Sequence, residues 1–186
     1  MQYLTSVDQN TNEKLFQKDK QIYYLNDLPN TLQILSVPMN QISDITPISL
    51  LNNLQYINLS NNKIYNLQPL EYLPYVSILD LSYNLIYNIS KLQKLKTMTQ
   101  LNLTRNMISN ISEIQCCNQL TNLQIAHNQL EVSLPFLQEI ELFLQNLQGN
   151  RNHFAGKARL QLQAVACCFA GNIILQLLGQ IQQLFY

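Results

Sequence analysis

Asparagine recurs at Asn40, Asn62, Asn84, Asn106, Asn128 and Asn150, each 22 residues after the last. The chain holds 23 asparagines in 186 residues, so six in register by chance has odds on the order of a few in a million. Low-complexity Asn/Gln sequence gives no such column. A fixed period of this length constrains the fold more than any other feature, because it marks a chain built by stacking one small structural unit on the next.

The apolar residues keep the same period. One copy reads Leu54, Ile57, Leu59, Asn62, Ile64, Leu67, Leu70, Leu73. Its successors read Val76, Leu79, Leu81, Asn84, Ile86, Ile89, Leu92, Leu95 and Met98, Leu101, Leu103, Asn106, Ile108, Ile111, Ile114, Cys117. The copy before it begins Leu32, Leu35, Val37, Asn40 and ends Ile48, Leu51. A fifth starts Leu120, Leu123, Ile125, Asn128, Leu130 and then slips by one residue, and a sixth, around Leu142, Leu147 and Asn150, is worn.

Each copy opens with a short alternating run such as Tyr56-Ile57-Asn58-Leu59-Ser60. Period two sends Ile57 and Leu59 to the core and Tyr56, Asn58 and Ser60 outward, as in a strand with one buried face. The chain must then turn sharply, and the asparagine amide can bond backbone groups that the turn leaves unpaired. The returning half carries apolar residues every three positions, which suits a 3₁₀ or short α segment. Thr46-Pro47, Gln68-Pro69, Ser90 and Ser112 read as its starts. Pro38 stands where a strand residue would, which suggests a position near a sheet edge.

This pattern, with stretches such as "LQYINLSNNKIYNLQPLEYL" and "LTNLQIAHNQL", resembles the 22-residue subclass of leucine-rich repeats, named after a regulatory subunit of protein phosphatase 1. The resemblance implies an α/β fold: a curved solenoid with a parallel sheet on its concave face and short 3₁₀ or α segments on its convex face. Residues 32–152 would form five to six repeats. Residues 1–31 read as an N-terminal cap or degenerate repeat, in which Ile22, Leu25 and Leu28 echo the helical half. Residues 153–186 read as a C-terminal helical cap. No charged side chain follows Arg159, so a membrane tether or a partner-binding helix over 160–186 stands as an alternative, although Asn172 and Gln176 interrupt the run that a span would need.

Eleven basic residues balance eleven acidic ones, which argues against nucleic acid as a partner. Cysteines occur as adjacent pairs, Cys116–Cys117 and Cys167–Cys168, a spacing unlike a metal site or a secreted disulfide framework. The first residues lack the basic-then-apolar pattern of a secretory signal. The expectation is a cytoplasmic protein whose thiols stay reduced, with the Asn-x-Ser/Thr sites at Asn58, Asn88, Asn102 and Asn110 unglycosylated.

Function is expected on the outward columns of the strands and the adjoining turns: Tyr56, Asn58, Asp80, Tyr83, Asn102, Arg105, Gln124 and His127, beside the structural column Asn40 to Asn150. Outward columns also include Ser60 and Ser82, and Gln41, Lys63, Leu85 and Met107 lie beside the turns. Tyr and Arg are frequent interface anchors, and amides can exchange hydrogen bonds with a protein surface at small desolvation cost. No catalytic, cofactor or metal residues are expected. The two histidines, His127 and His153, have no carboxylate or thiol placed to work with them, and there is no Gly-rich phosphate loop. The expected partner is another protein, bound by a monomer through its concave face.

Overall fold

The structure, a computed structural model, describes residues 2–3 and 13–130. Asn150, the sixth repeat and the segment 153–186 lie outside the described residues. Six three-residue strands form one parallel sheet in the order β2 (Lys14–Phe16), β4 (Ile34–Ser36), β5 (Tyr56–Asn58), β6 (Ile78–Asp80), β7 (Gln100–Asn102) and β8 (Asn122–Gln124). Ile34 faces Tyr56, Tyr56 faces Ile78, Ile78 faces Gln100, and Gln100 faces Asn122. The 22-residue period is therefore the pairing register itself.

Between strands the chain returns through 3₁₀ segments at Thr46–Leu50, Gln68–Tyr72, Ser90–Lys94 and Ser112–Cys116. A three-residue spacing of apolar side chains matches three residues per turn, so one face of each segment is apolar. The residues before these segments explain why they start there. The Asp44, Asn66 and Asn88 Oδ1 atoms accept the backbone N–H of Thr46, Gln68 and Ser90 at 2.8–2.9 Å. The start signal is thus this second Asx column; the N-cap residues themselves, Ile45, Leu67 and Ile89, are apolar and make no side-chain cap bond.

Every apolar column enters one continuous core running the length of the stack, from Leu15 to Ile125. Ile57, Leu79 and Leu101, in register on neighbouring strands, are each 2% exposed or less. A repeat alone could not bury both sides of such a layer, so its stability comes from its neighbours. Hydroxyls add a stitch between copies: Ser77 Oγ donates to Gln55 O, Thr99 Oγ1 to Ser77 O and Thr121 Oγ1 to Thr99 O, at 3.0–3.1 Å.

One expectation needs correction and another a sharper form. Ile22, Leu25 and Leu28 take the columns of a returning half without forming its 3₁₀ segment. Ile22–Tyr24 is an extended strand, β3, paired in parallel with β1 (Gln2–Tyr3). The first copy is two residues short: Lys14 faces Ile34 and Leu15 faces Leu35, a step of 20. Counted at 20, Ile22, Leu25 and Leu28 fall under Ile42, Ile45 and Ile48, and the first two are buried like them. Pro38 likewise marks no sheet edge, because β4 has β2 on one side and β5 on the other. In the equivalent positions the N–H of Ser60, Ser82 and Thr104 bonds the Oδ1 of the residue two before it, not a neighbouring strand. Proline removes no ladder bond there.

The one ion pair among the described residues joins Lys91 Nζ to Glu71 Oε2 at 2.9 Å on the 3₁₀ face. The hydrogen bond from Lys91 lowers the Glu71 carboxyl below its ordinary value, against a smaller opposing push from desolvation, and Gln68 Nε2 also donates to it. A depressed carboxyl adds stability above the ordinary carboxylate range and loses it as pH falls through the folded value. At neutral pH Glu71→Gln should lower the urea midpoint slightly. That difference should shrink as pH falls through the folded value and vanish below it. A difference of the same size at both pH values would rule out the ion pair as its cause. The pair is only partly buried, so solvent screening keeps the effect small.

Candidate interaction surface

The candidate surface is built by the turn that follows each strand, and the asparagine column shapes that turn. Asn84 Oδ1 accepts the N–H of Ile64 in the preceding repeat at 2.9 Å. Its Nδ2 donates to Leu81 O and Ser82 O in its own turn, and to Leu59 O in the preceding one, at 3.0–3.2 Å. Asn62 and Asn106 repeat this scheme. Asn128 does so half-buried. Asn40 closes the series by accepting from Ile22 and Lys20 and donating to Gln17 O. In the shortened first repeat Lys20 holds the place of the asparagine, so the ladder begins at Asn40.

The residue before that amide takes left-handed backbone. Met39, Asn61, Tyr83, Arg105 and His127 all have φ between 54° and 58°. Asp19 shares this conformation in the first copy, and none of these residues is glycine. Asparagine tolerates it, whereas for Tyr, Arg, His and Met it is strained by about 1–2 kcal/mol each. Strain of this kind persists only where surrounding contacts over-determine it, and it gathers at binding sites. Tyr83, Arg105 and His127 are all exposed. The Arg105 guanidinium lies 5.3 Å from the Tyr83 ring centroid, within the range of a cation–π contact.

The other expected contact residues divide. Tyr56 is half-buried and Gln124 exposed on the sheet face. Asn58, Asp80 and Asn102 are half-buried, and each spends Oδ1 on the turn that ends its strand. Asn58 accepts from the Ser60 N–H and hydroxyl, Asp80 from those of Ser82 at 2.9 and 2.7 Å, and Asn102 from the Thr104 N–H. Ser60 and Ser82, expected to point outward, are buried beneath this arrangement. These columns build the surface at least as much as they present it.

A shallow open groove of about 480 Å³ runs along the turns, lined among others by Gln41, Asn61, Lys63, Tyr83 and Arg105, with Asn62 and Asn84 at its base. Leu85 and Met107, beside it in the same column as Lys63, are exposed. Lys63, Leu85 and Met107 were legible as turn neighbours but carried no chemical signal in the sequence, because their column mixes amide, cation and apolar residues. On the opposite side, Cys116 is exposed and Cys117 buried, both as free thiols, and burial pushes the Cys117 thiol up. Among the described residues no cluster of three His, Cys, Asp or Glu could hold a metal ion, and no helix is long and apolar enough to cross a membrane.

No protein-family model and no curated protein matches the sequence. Solved structures do. The chain is similar to an internalin from Listeria monocytogenes, at TM-score 0.55 and 26% identity over 61% of this chain and 34% of that one. It is also similar to an internalin C2 from the same organism, at TM-score 0.51 and 28% identity over 67% of this chain and 66% of that one. The chain therefore spans about a third of one neighbour and just under two thirds of the other.

Proposed function

We propose that this leucine-rich-repeat solenoid is a cytoplasmic, non-catalytic adaptor or regulatory subunit that binds a protein partner on its sheet face and adjoining turns. Protein–protein interaction is the role typical of internalin-like leucine-rich-repeat folds. The carrying observation is register: side chains from successive repeats stand in line, with Tyr56, Ile78, Gln100 and Asn122 directly opposed on neighbouring strands. Their half-buried or exposed tips form a surface of aromatic, aliphatic and amide groups. Such a surface offers contact area and hydrogen bonds with little charge to desolvate.

Tyr56→Ala combined with Gln100→Arg tests it. Affinity capture followed by mass spectrometry should recover a partner with the native chain and at least about tenfold less with the double variant, a change of about 1.4 kcal/mol. Circular dichroism should be unchanged. Equal recovery by both proteins would overturn the sheet-face reading.

A further inference from the structure

We infer that the groove along the turns is the docking site for an acidic segment of the partner, one that presents two carboxylates three residues apart on one face of a polyproline II chain. This rests on the adaptor reading and assigns a chemistry to part of its surface. Lys63 and Arg105 line the groove and no acidic residue does. Neither cation has a carboxylate within 4 Å among the described residues, where the only ion pair is Lys91–Glu71. The neighbouring acid, Asp80, has one carboxylate oxygen committed to the Ser82 N–H and hydroxyl.

Arg105 is also prepositioned. Its backbone is fixed in the left-handed region by the turn, its N–H donates to Ala126 O at 2.8 Å, and its guanidinium rests on Tyr83. Less rotamer freedom is then lost on engaging a carboxylate, which its planar fork matches in bidentate fashion. Lys63 and Arg105 belong to repeats two apart, and parallel strands lie about 4.8 Å from each other, which sets the two cations roughly 10 Å apart along the stack. A peptide in the polyproline II conformation advances about 3.1 Å per residue with three residues per turn, so carboxylates at i and i+3 lie on one face and span that gap. Exposed Leu85 and Met107, beside the line between the cations, suit an apolar side chain from the intervening residues. Two cations in a chain of zero net charge neutralise too few phosphates to favour nucleic acid.

The probe is a fluorescein-labelled peptide with a Glu-Leu-Gln-Glu core. Controls are the same peptide with Lys for Glu, and a single-stranded oligonucleotide of equal length. Anisotropy should report binding of the acidic peptide alone, weakening as salt rises. Amide chemical shifts should move at Asn61, Lys63, Tyr83 and Arg105. Lys63→Gln with Arg105→Gln should weaken binding at least tenfold with unchanged circular dichroism, and Arg105→Lys should recover part of it. If the double variant fails to fold, Lys63→Gln alone, at an exposed position, gives the same comparison. Undiminished binding by the variants, or tighter binding of the oligonucleotide, overturns the inference. Shifts at Tyr56, Ile78 and Gln100 instead overturn it while keeping the adaptor reading. Absence of peptide binding likewise overturns it, whether or not Tyr56 and Gln100 govern partner capture.

Discussion

Asn84→Ala is expected to lower stability by about 2–4 kcal/mol, far more than an average surface change. The side chain makes four hydrogen bonds in a buried position. Alanine leaves the Ile64 N–H without its acceptor and removes a donor from the carbonyls of Leu59, Leu81 and Ser82. A buried donor stripped of its partner costs about 1–3 kcal/mol, and the carbonyls add to that. Urea unfolding should read this as a midpoint lowered by roughly 1–2 M. Asn84→Asp should be at least as damaging, since a carboxylate keeps the acceptor but cannot donate, and it places charge against three carbonyl oxygens. Asn88→Ala is the control: Asn88 is exposed and makes only the bond to Ser90, so a loss of about 1 kcal/mol is expected. Equal midpoints for Asn84→Ala and the native chain would remove the amide ladder as the organiser of the turns.

The sequence made the ladder visible because a buried amide serving its own turn and the preceding repeat tolerates no substitute, and so repeats without error from Asn40 on. The same pressure made the apolar columns and the strand register visible: one slipped residue would turn Leu79 out to solvent. The second Asx column, Asp44, Asn66, Asn88 and Asn110, was equally periodic and could have been found. It was hidden by the stronger prior that Ser or Thr opens a helical turn. The first copy is only faintly legible, because its shortening to 20 residues breaks the 22-residue period.

The candidate surface was legible only in part, for a physical reason. The side chains in the column Met39, Asn61, Tyr83, Arg105 and His127 share no chemistry, only a backbone conformation. That conformation belongs to the turn that follows each strand, not to the residue itself: Asp19, followed by Lys20, shares it. Nothing in the sequence marks it, since the usual flag for a positive φ is glycine, and the first glycine of the chain is Gly149. The same holds for the Asn58, Asp80 and Asn102 column. Outward alternation predicts exposure, yet one oxygen of each is consumed in ending the strand. Columns read as contacts from period two can thus be turn-builders, while the groove arises between columns, where no single period points.

Leu79→Ala is expected to cost about 3–4 kcal/mol, with Leu15→Ala nearer 2. Both side chains are 1% exposed, so solvent accessibility alone predicts equal losses. Their positions in the stack differ. Leu79 lies on β6 with Ile57 and Leu101 in register on either side, whereas Leu15 lies on β2, the last strand of the sheet among the described residues, where only Leu35 pairs with it. In a solenoid, stability is a sum of repeat terms and nearest-neighbour interfaces. A cavity in the middle therefore weakens two interfaces, and one at the end weakens one. Leu79→Met, which nearly conserves volume, should lose under about 1.5 kcal/mol. Chemical denaturation of the three variants separates the possibilities. Equal losses at positions 15 and 79 would mean that the core behaves as one undivided layer. The ordering expected here requires the layer to be assembled from neighbour contacts, the same contacts that hold the outward columns in line for a partner.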